Sequence, residues 1–163
     1  MRTNNGKAKN VIISLYFVLL VLTILSITLV GSFSDLYENK TVVILIMLGI
    51  FAVLFFITHR ISRYFEYDSD GLKVVVKNKG LLLSEQINYR EHLVEFFKKD
   101  LKGFKVKNYV VYNSLILYIK NHNKTKEEHF NVTLVSRKKL KYIRQSLSKI
   151  IRHNKKLKEN VND

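Results

Sequence analysis

The sequence predicts an α+β membrane protein. An N-terminal transmembrane hairpin of two helices is followed by an antiparallel sheet or small barrel and a C-terminal amphipathic helix. Three features predict this: two uncharged apolar blocks in the first 58 residues, short alternating runs of strand-forming residues, and a final segment of helical period. The length of 163 residues suits one domain plus an anchor.

Composition excludes several classes of protein. The chain has 28 Lys and Arg against 13 Asp and Glu, and 47% of its residues are hydrophobic. This balance is too basic and too apolar for an ordinary cytosolic enzyme, and the many large apolar residues exclude a disordered tail. The chain has no cysteine, so it has no disulfide, thiolate metal site or cysteine nucleophile.

The apolar blocks are residues 11–30 and 41–58, which are 20 and 18 residues long and uncharged. A helix of 20 residues spans about 30 Å, the thickness of the hydrocarbon layer. A soluble core helix would keep a polar face. A cleaved signal peptide would have a shorter apolar region followed by small residues. Both blocks are therefore predicted to be uncleaved transmembrane helices.

Charges next to the blocks predict the topology. Residues 1–10 form a basic N-terminus, and Arg60 and Arg63 follow the second block. The positive-inside rule places both termini in the cytoplasm and residues 31–40 in an external loop. The expected location is the cell (inner) membrane, as a multi-pass protein. Neither block contains a charged residue, which argues against an ion or proton pathway.

Residues 64–158 are predicted to form the cytoplasmic domain. Asp70-Gly71 between two alternating runs is a strong hairpin signal. Residues 90–99 are ambiguous: Leu93, Phe96 and Phe97 have helical spacing, but the segment is short, and Gly103 ends it. Asn113-Ser114 is predicted to be a turn or bulge. The predicted strands are 65–68, 72–77, 81–89, 109–112, 115–120 and 128–135, with a turn at 121–124.

Ser136 is predicted to cap a long helix, with residues 159–163 as a frayed tail. Its apolar stripe consists of Leu140, Ile143, Leu147, Ile150, Ile151 and Leu157. Lys and Arg fill most of the remaining surface. Two interpretations of that basic surface stay open: it attracts anionic lipid headgroups, or it is the solvated back of a helix packed on the sheet.

Catalytic signatures are absent from the sequence. It has no P-loop, dinucleotide fingerprint, zinc-protease motif or nucleophile elbow, and its five histidines form no recognisable ligand set. We therefore predict no catalytic residue, no metal site and no cofactor. The sequence does not indicate whether a small molecule binds.

The order of elements resembles a known group. Two membrane helices followed at once by residues 65–72, FEYDSDGL, resemble small bacterial membrane proteins with a pleckstrin-homology-like (PH-like) domain, including the YcxB-like group. Residues 115–119, 130–132 and the Ser136-capped helix continue the pattern. The resemblance implies a PH-like sheet or barrel in residues 64–158 and no catalytic residues.

The expected function is non-enzymatic. The basic domain would face a protein partner or an anionic lipid surface on the cytoplasmic side. One alternative is an accessory or immunity-type subunit of a larger membrane complex. Another is nucleic-acid binding through the last helix, which no recognisable motif supports. The candidate membrane-surface contacts are Arg60, Arg63, Lys138, Lys141, Arg144, Lys149, Arg152 and Lys156.

Overall fold

The computed structural model describes residues 1–32, 39–81, 91–121 and 124–162, with side chains up to Leu157. The chain divides into a helical unit, Lys7–Ser62, and a sheet unit, Met1–Gly6 with Arg63–Asp163. Three predicted features lie partly or wholly outside the described residues. They are the external loop 31–40, the third strand 81–89 and the turn at 121–124.

The helical unit contains the two predicted apolar helices. Helix α1 is Ala8–Ser32 and α2 is Lys40–Ile61, with 25 and 22 residues. At 1.5 Å per residue they measure about 37 and 33 Å. Both are long and apolar enough to cross a bilayer. Each exceeds its predicted block by several residues.

Side chains of the helical unit are mostly exposed. Only 11% of the most apolar stretch of α1 and 6% of that of α2 is buried. The hydroxyls of Thr23 and Thr28 donate to carbonyls of their own helix at 2.7 and 2.9 Å. Tyr16 and Phe55 stack with ring centroids 5.8 Å apart, which joins the two helices.

In the residues that the structure describes, the sheet unit has seven strands and one α-helix. Its strands form two antiparallel sheets, ordered β1-β2-β3-β4 and β5-β6-β7. In the described ranges no barrel closes, so the open-sheet prediction is confirmed and the barrel alternative is wrong. The elements are β1 Arg2–Asn4, β2 Arg63–Asp68, β3 Lys73–Gly80, β4 His92–Phe97, β5 Leu101–Asn108, β6 Asn113–Asn121, β7 Lys124–Asn131 and helix α3 Arg137–Asn162.

Strand β1 was not predicted from the sequence. It pairs with β2 so that Arg2 lies opposite Asp68 and Asn4 opposite Glu66. Asn5 extends the pairing with its buried side chain, which accepts from the Phe65 N–H at 2.8 Å and donates to the Arg63 carbonyl at 2.9 Å. The first residues of the chain therefore belong to the same folded unit as the last hundred.

The core of the sheet unit lies between the two sheets and α3. Along β2 the residues at alternate positions, Phe65 and Tyr67, are fully buried, as the period of two predicts. Phe65 meets Phe130 of β7 edge to face, with ring centroids 6.5 Å apart. Ile143 and Leu147 of α3 complete the core and are fully buried.

Asn78 links the two sheets. Its side-chain nitrogen donates to the carbonyls of Tyr64 at 2.9 Å and Asn131 at 3.1 Å, and its side-chain oxygen accepts from the Asn131 N–H at 3.2 Å. This one amide therefore bonds to backbone groups of both β2 and β7, which belong to different sheets.

Within the segment 90–99, which the sequence left open, His92–Phe97 form strand β4. It pairs along its whole length with β3, with Lys73 opposite Phe97, and a short 3₁₀ turn, Lys98–Asp100, follows. Gly103 does not end the segment: it lies in β5 beside an irregularity in the register between Leu101 and Gly103. Pairing with a distant strand overrides the helical spacing of the apolar residues.

The predicted strand 109–112 is wrong. Residues 101–108 form β5, and residues 109–112 form the turn that leads to β6. Asn113-Ser114, predicted to be a turn or bulge, is the start of β6, opposite Asn108 and Lys107. Valine and tyrosine favour strands, but the register between β5 and β6 leaves these four residues beyond the ladder.

Helix α3 runs from one end of the sheet unit to the other. Ser136 caps it as predicted: the Leu140 N–H donates to the Ser136 carbonyl at 2.9 Å. Lys139 donates to the Asn4 carbonyl, at the end where Arg63 and Asn5 continue into the helical unit. We call this the junction end. Asn154 donates to the Lys98 carbonyl at 2.7 Å, at the opposite end, which we call the turn end.

Candidate functional site

The outer face of α3 is a basic surface. Residues 137–158 include ten Lys and Arg and no Asp or Glu. Within the ranges that the structure describes, no carboxylate forms an ion pair with these basic side chains. All six candidate residues on this helix are exposed: Lys138, Lys141, Arg144, Lys149, Arg152 and Lys156. We call these six residues the basic face.

Carboxylates of the sheet unit neutralise lysines of the strands instead. Lys73 pairs with Glu95 at 2.7 Å and Lys126 with Glu128 at 2.6 Å. Lys77 pairs with Glu91 in the same way. These three strand lysines therefore have carboxylate partners, whereas the basic face has none among the described residues. An unneutralised cationic face favours an anionic partner.

The candidate residues are spread over a long distance. Lys138 lies at the junction end, and Lys156 is 18 residues further along α3, about 27 Å away. Arg63 is the first residue of β2 and lies at the junction end, half-buried. Arg60 is exposed in the last turn of α2, in the helical unit. Within the sheet unit, Arg63 and Lys138 therefore lie at one end, and Arg152 and Lys156 lie towards the other.

Tyr64, Glu66 and Arg2 form a polar cluster on β1 and β2. Arg2 donates to Glu66 at 2.8 Å, and the Tyr64 hydroxyl donates to the same carboxylate at 3.0 Å. Burial and the neighbouring carboxylate raise the pKa of Tyr64 to about 12. Burial raises the pKa of Glu66, but the hydrogen bonds from Arg2 and Tyr64 outweigh it and hold that pKa below its ordinary value. Neither group is suited to proton transfer near neutral pH.

A cleft of about 670 Å³ lies between α3 and the turn end of the sheet unit. Ser69 and Ser146 line it with their hydroxyl oxygens 3.1 Å apart, and Ser146 also contacts the Tyr67 hydroxyl at 3.0 Å. Lys149 and His153 stand at its margin. The hydroxyls satisfy one another, and the cationic margin continues the basic face.

Metal-binding groups do not converge in the described part of the chain: no three His, Asp or Glu side chains there come together as a metal site. The nearest approach to one is a pair, because the His92 ring nitrogen contacts the Glu128 carboxylate at 2.8 Å. Lys126 occupies the other oxygen of that carboxylate at 2.6 Å. A cation next to the carboxylate disfavours a second cation there.

No protein-family model matches the chain, and neither the curated proteins nor the solved structures include a significant match. The functional conclusion therefore depends on the surfaces of this chain alone.

Sequence reasoning missed one surface of the sheet unit. The turn Tyr109–Tyr112 between β5 and β6 exposes four apolar or aromatic side chains. Their high strand propensity concealed the turn. The sequence did contain a signal of this surface: the apolar run lies within residues 101–126, which include six Lys and no Asp or Glu.

Proposed function

We propose that the chain is a non-enzymatic, two-pass membrane protein whose sheet unit presents the basic face to anionic lipid headgroups on the cytoplasmic side. The observation that carries this proposal is the coexistence of two exposed apolar helices with a folded unit whose long helix has ten Lys and Arg and no Asp or Glu over residues 137–158. A bilayer with anionic lipid satisfies both surfaces.

The exposure of α1 and α2 supports insertion into a membrane. A helix in the core of a soluble domain would be mostly buried, whereas only 11% of the most apolar stretch of α1 and 6% of that of α2 is buried. Exposing so much apolar surface to water has a high free-energy cost, and contact with lipid removes that cost.

Strand β1 supports a hairpin in which neither helix is removed. Residues 1–6 and residues 63–163 belong to one folded unit, so two membrane crossings must return the chain to the side where it began. Cleavage after α1 would also remove β1 and leave the backbone edge of β2 unpaired. Both arguments favour two retained spans over a signal peptide.

Two antiparallel sheets of four and three strands followed by a C-terminal helix support the proposal of a PH-like domain. Near an anionic leaflet each Lys or Arg contributes about 1 kcal/mol of attraction. Lys138, Lys141 and Arg144, in the half of α3 nearer the junction end, would then add about 3 kcal/mol together. Covalent attachment to α2 keeps them near the bilayer and raises their effective concentration there.

The test is lysine footprinting of the full chain in nanodiscs. Neutral phosphatidylcholine discs are compared with discs that also contain phosphatidylglycerol, and modification of each lysine by an amine-reactive reagent is measured by mass spectrometry. We expect anionic lipid to protect Lys138 and Lys141, and high salt to remove the protection because it screens the charges. Lys120 and Lys124, exposed at the turn end, are the controls.

Modification of the basic face that is indifferent to both lipid charge and salt would refute headgroup binding. The variant R144E/R152E keeps Lys138 and Lys141 for the measurement and should reduce their protection by anionic lipid, while the protein stays in the membrane.

A further inference from the structure

The turn between β5 and β6 is an apolar projection. Val110 is completely exposed and Val111 is 49% exposed, with Tyr109 and Tyr112 at 43% and 40% on either side. We call residues 109–112 the apolar tip. Exposed single apolar residues are ordinary, but four consecutive ones at the apex of a hairpin are not.

Valine is an unfavourable residue for this turn. Gly, Pro, Asn, Asp and Ser dominate turns, and the four-residue connection 109–112 contains none of them. Here Val110 and Val111 occupy the centre of the turn, and the Tyr109 N–H donates to the Tyr112 carbonyl at 2.9 Å. The tyrosine rings stack with centroids 4.7 Å apart, which fixes the shape of the tip. A residue choice that opposes local structure is expected where a surface serves a function.

The apolar tip lies at the junction end of the sheet unit. Asn78 bonds to the carbonyls of both Tyr64 and Asn131. Asn131 pairs with Ser114, and the Val132 N–H donates to the Asn113 carbonyl at 2.9 Å. The tip therefore lies at the same end as the first residues of β2, because Asn78 connects Tyr64 to Asn131 and Asn131 pairs with Ser114 at the start of β6.

Lysines flank the apolar tip on β5. Lys105 and Lys107 are both exposed, two positions apart, and so lie on the same side of the strand. An apolar apex, tyrosines beneath it and lysines further back match the layers of a bilayer surface, where tyrosine favours the interface and lysine the headgroups.

We propose that the apolar tip inserts into the interfacial layer of the bilayer that α1 and α2 cross. This inference rests on the proposed function, because it needs the sheet unit to be anchored at a membrane. The position of the tip at the junction end selects that bilayer as the partner, and the flanking lysines select a leaflet with anionic lipid. Val110 and Val111 enter the interface while Tyr109 and Tyr112 stay at headgroup level.

The chain contains no tryptophan, so V110W introduces a single fluorophore at the tip. Full-length V110W is reconstituted in vesicles with and without lipids brominated on the acyl chains, which quench only fluorophores within the bilayer. The matched control is L72W, because Leu72 is 83% exposed in the turn between β2 and β3, at the turn end. We expect V110W emission to shift to the blue and to be quenched by bromolipid, and L72W emission to show neither change.

A second variant removes the effect of the tryptophan itself. In the V110W background, V111D with K107E should return the emission towards that of L72W, because a charge and the loss of a lysine oppose insertion. Quenching that these two changes leave intact would overturn the proposal.

The outcomes separate this inference from the proposed function. Alkaline extraction first establishes whether V110W remains in the membrane. Release into solution refutes the two-span proposal, and the tip inference falls with it. An integrated protein with unquenched V110W emission refutes tip insertion alone. A blue shift that depends on the protein-to-lipid ratio and resists bromolipid would assign the tip to a second copy of the chain instead.

Discussion

Glu128 illustrates how one side chain can join the two sheets of this fold. It is a buried carboxylate on β7, and it accepts from His92 on β4 at 2.8 Å and from Lys126 at 2.6 Å. Burial raises the pKa of Glu128, but these two partners outweigh burial and hold the pKa below the ordinary value of 4.5. The folded state therefore binds protons less readily than the unfolded chain at this position.

The sign of this pKa shift predicts a pH dependence. The stability that Glu128 contributes is complete above its unfolded pKa and is lost as the pH falls through its lower, folded pKa. We expect E128Q to unfold about 1–2 kcal/mol more easily at neutral pH and to match the wild type at low pH. The measurement is denaturation of the full chain in detergent micelles, followed by tyrosine circular dichroism at several pH values.

Glu127 provides the control for this experiment, because its side chain is 54% exposed and lies 3.8 Å from His129. E127Q should unfold within about 0.5 kcal/mol of the wild type. A difference in unfolding free energy between E128Q and wild type that is the same at every pH would contradict the predicted role of the Glu128 charge.

At the scale of the element, β1 makes the sheet unit discontinuous in sequence. Asn5 contributes two hydrogen bonds to the backbone of β2, at 2.8 and 2.9 Å. N5A should cost about 2–3 kcal/mol, because it removes the partners of a buried N–H and a half-buried carbonyl. Hydrogen exchange of the amides of residues 64–68 should then accelerate, while α1 and α2 keep their protection.

N108A serves as the comparison for N5A, since Asn108 is exposed at the end of β5. Its exchange pattern should match that of the wild type. Unchanged protection of β2 in N5A would show that β1 contributes nothing to the edge of the sheet.

Elements with local chemical signals were predictable from the sequence. Gly71, with a φ of 69°, forms the turn that Asp70-Gly71 predicted, and Ser136 caps α3 as expected. Strand β1 was missed, and β4 was left open, because their partners are not local in sequence: Asn5 bonds to Phe65, 60 residues away. No local pattern reveals such pairing.

Of the two candidate surfaces, one was predictable from the sequence and the other was not. The basic face followed directly from helical period and charge, and six of its predicted residues are exposed on α3. The apolar tip escaped prediction because Tyr109 and Val110 carry strand propensity, and only the register of β5 with β6 leaves them in a turn.

At the scale of the whole molecule, we propose that two apolar helices anchor a basic folded unit on one side of a membrane. The chain lacks cysteine, so single cysteines introduced at exposed positions can report the side of the membrane without background. Asn39 precedes α2, and Leu72 lies in the sheet unit. In the proposed topology, N39C lies on the outer side of the membrane and L72C lies on the cytoplasmic side.

Labelling of intact cells with a membrane-impermeant maleimide, before and after permeabilisation, is the most direct measurement. If both termini face the cytoplasm, N39C reacts in intact cells and L72C reacts only after permeabilisation. Equal reaction of the two cysteines in intact cells, or recovery of the chain in the soluble fraction, would contradict the proposed topology.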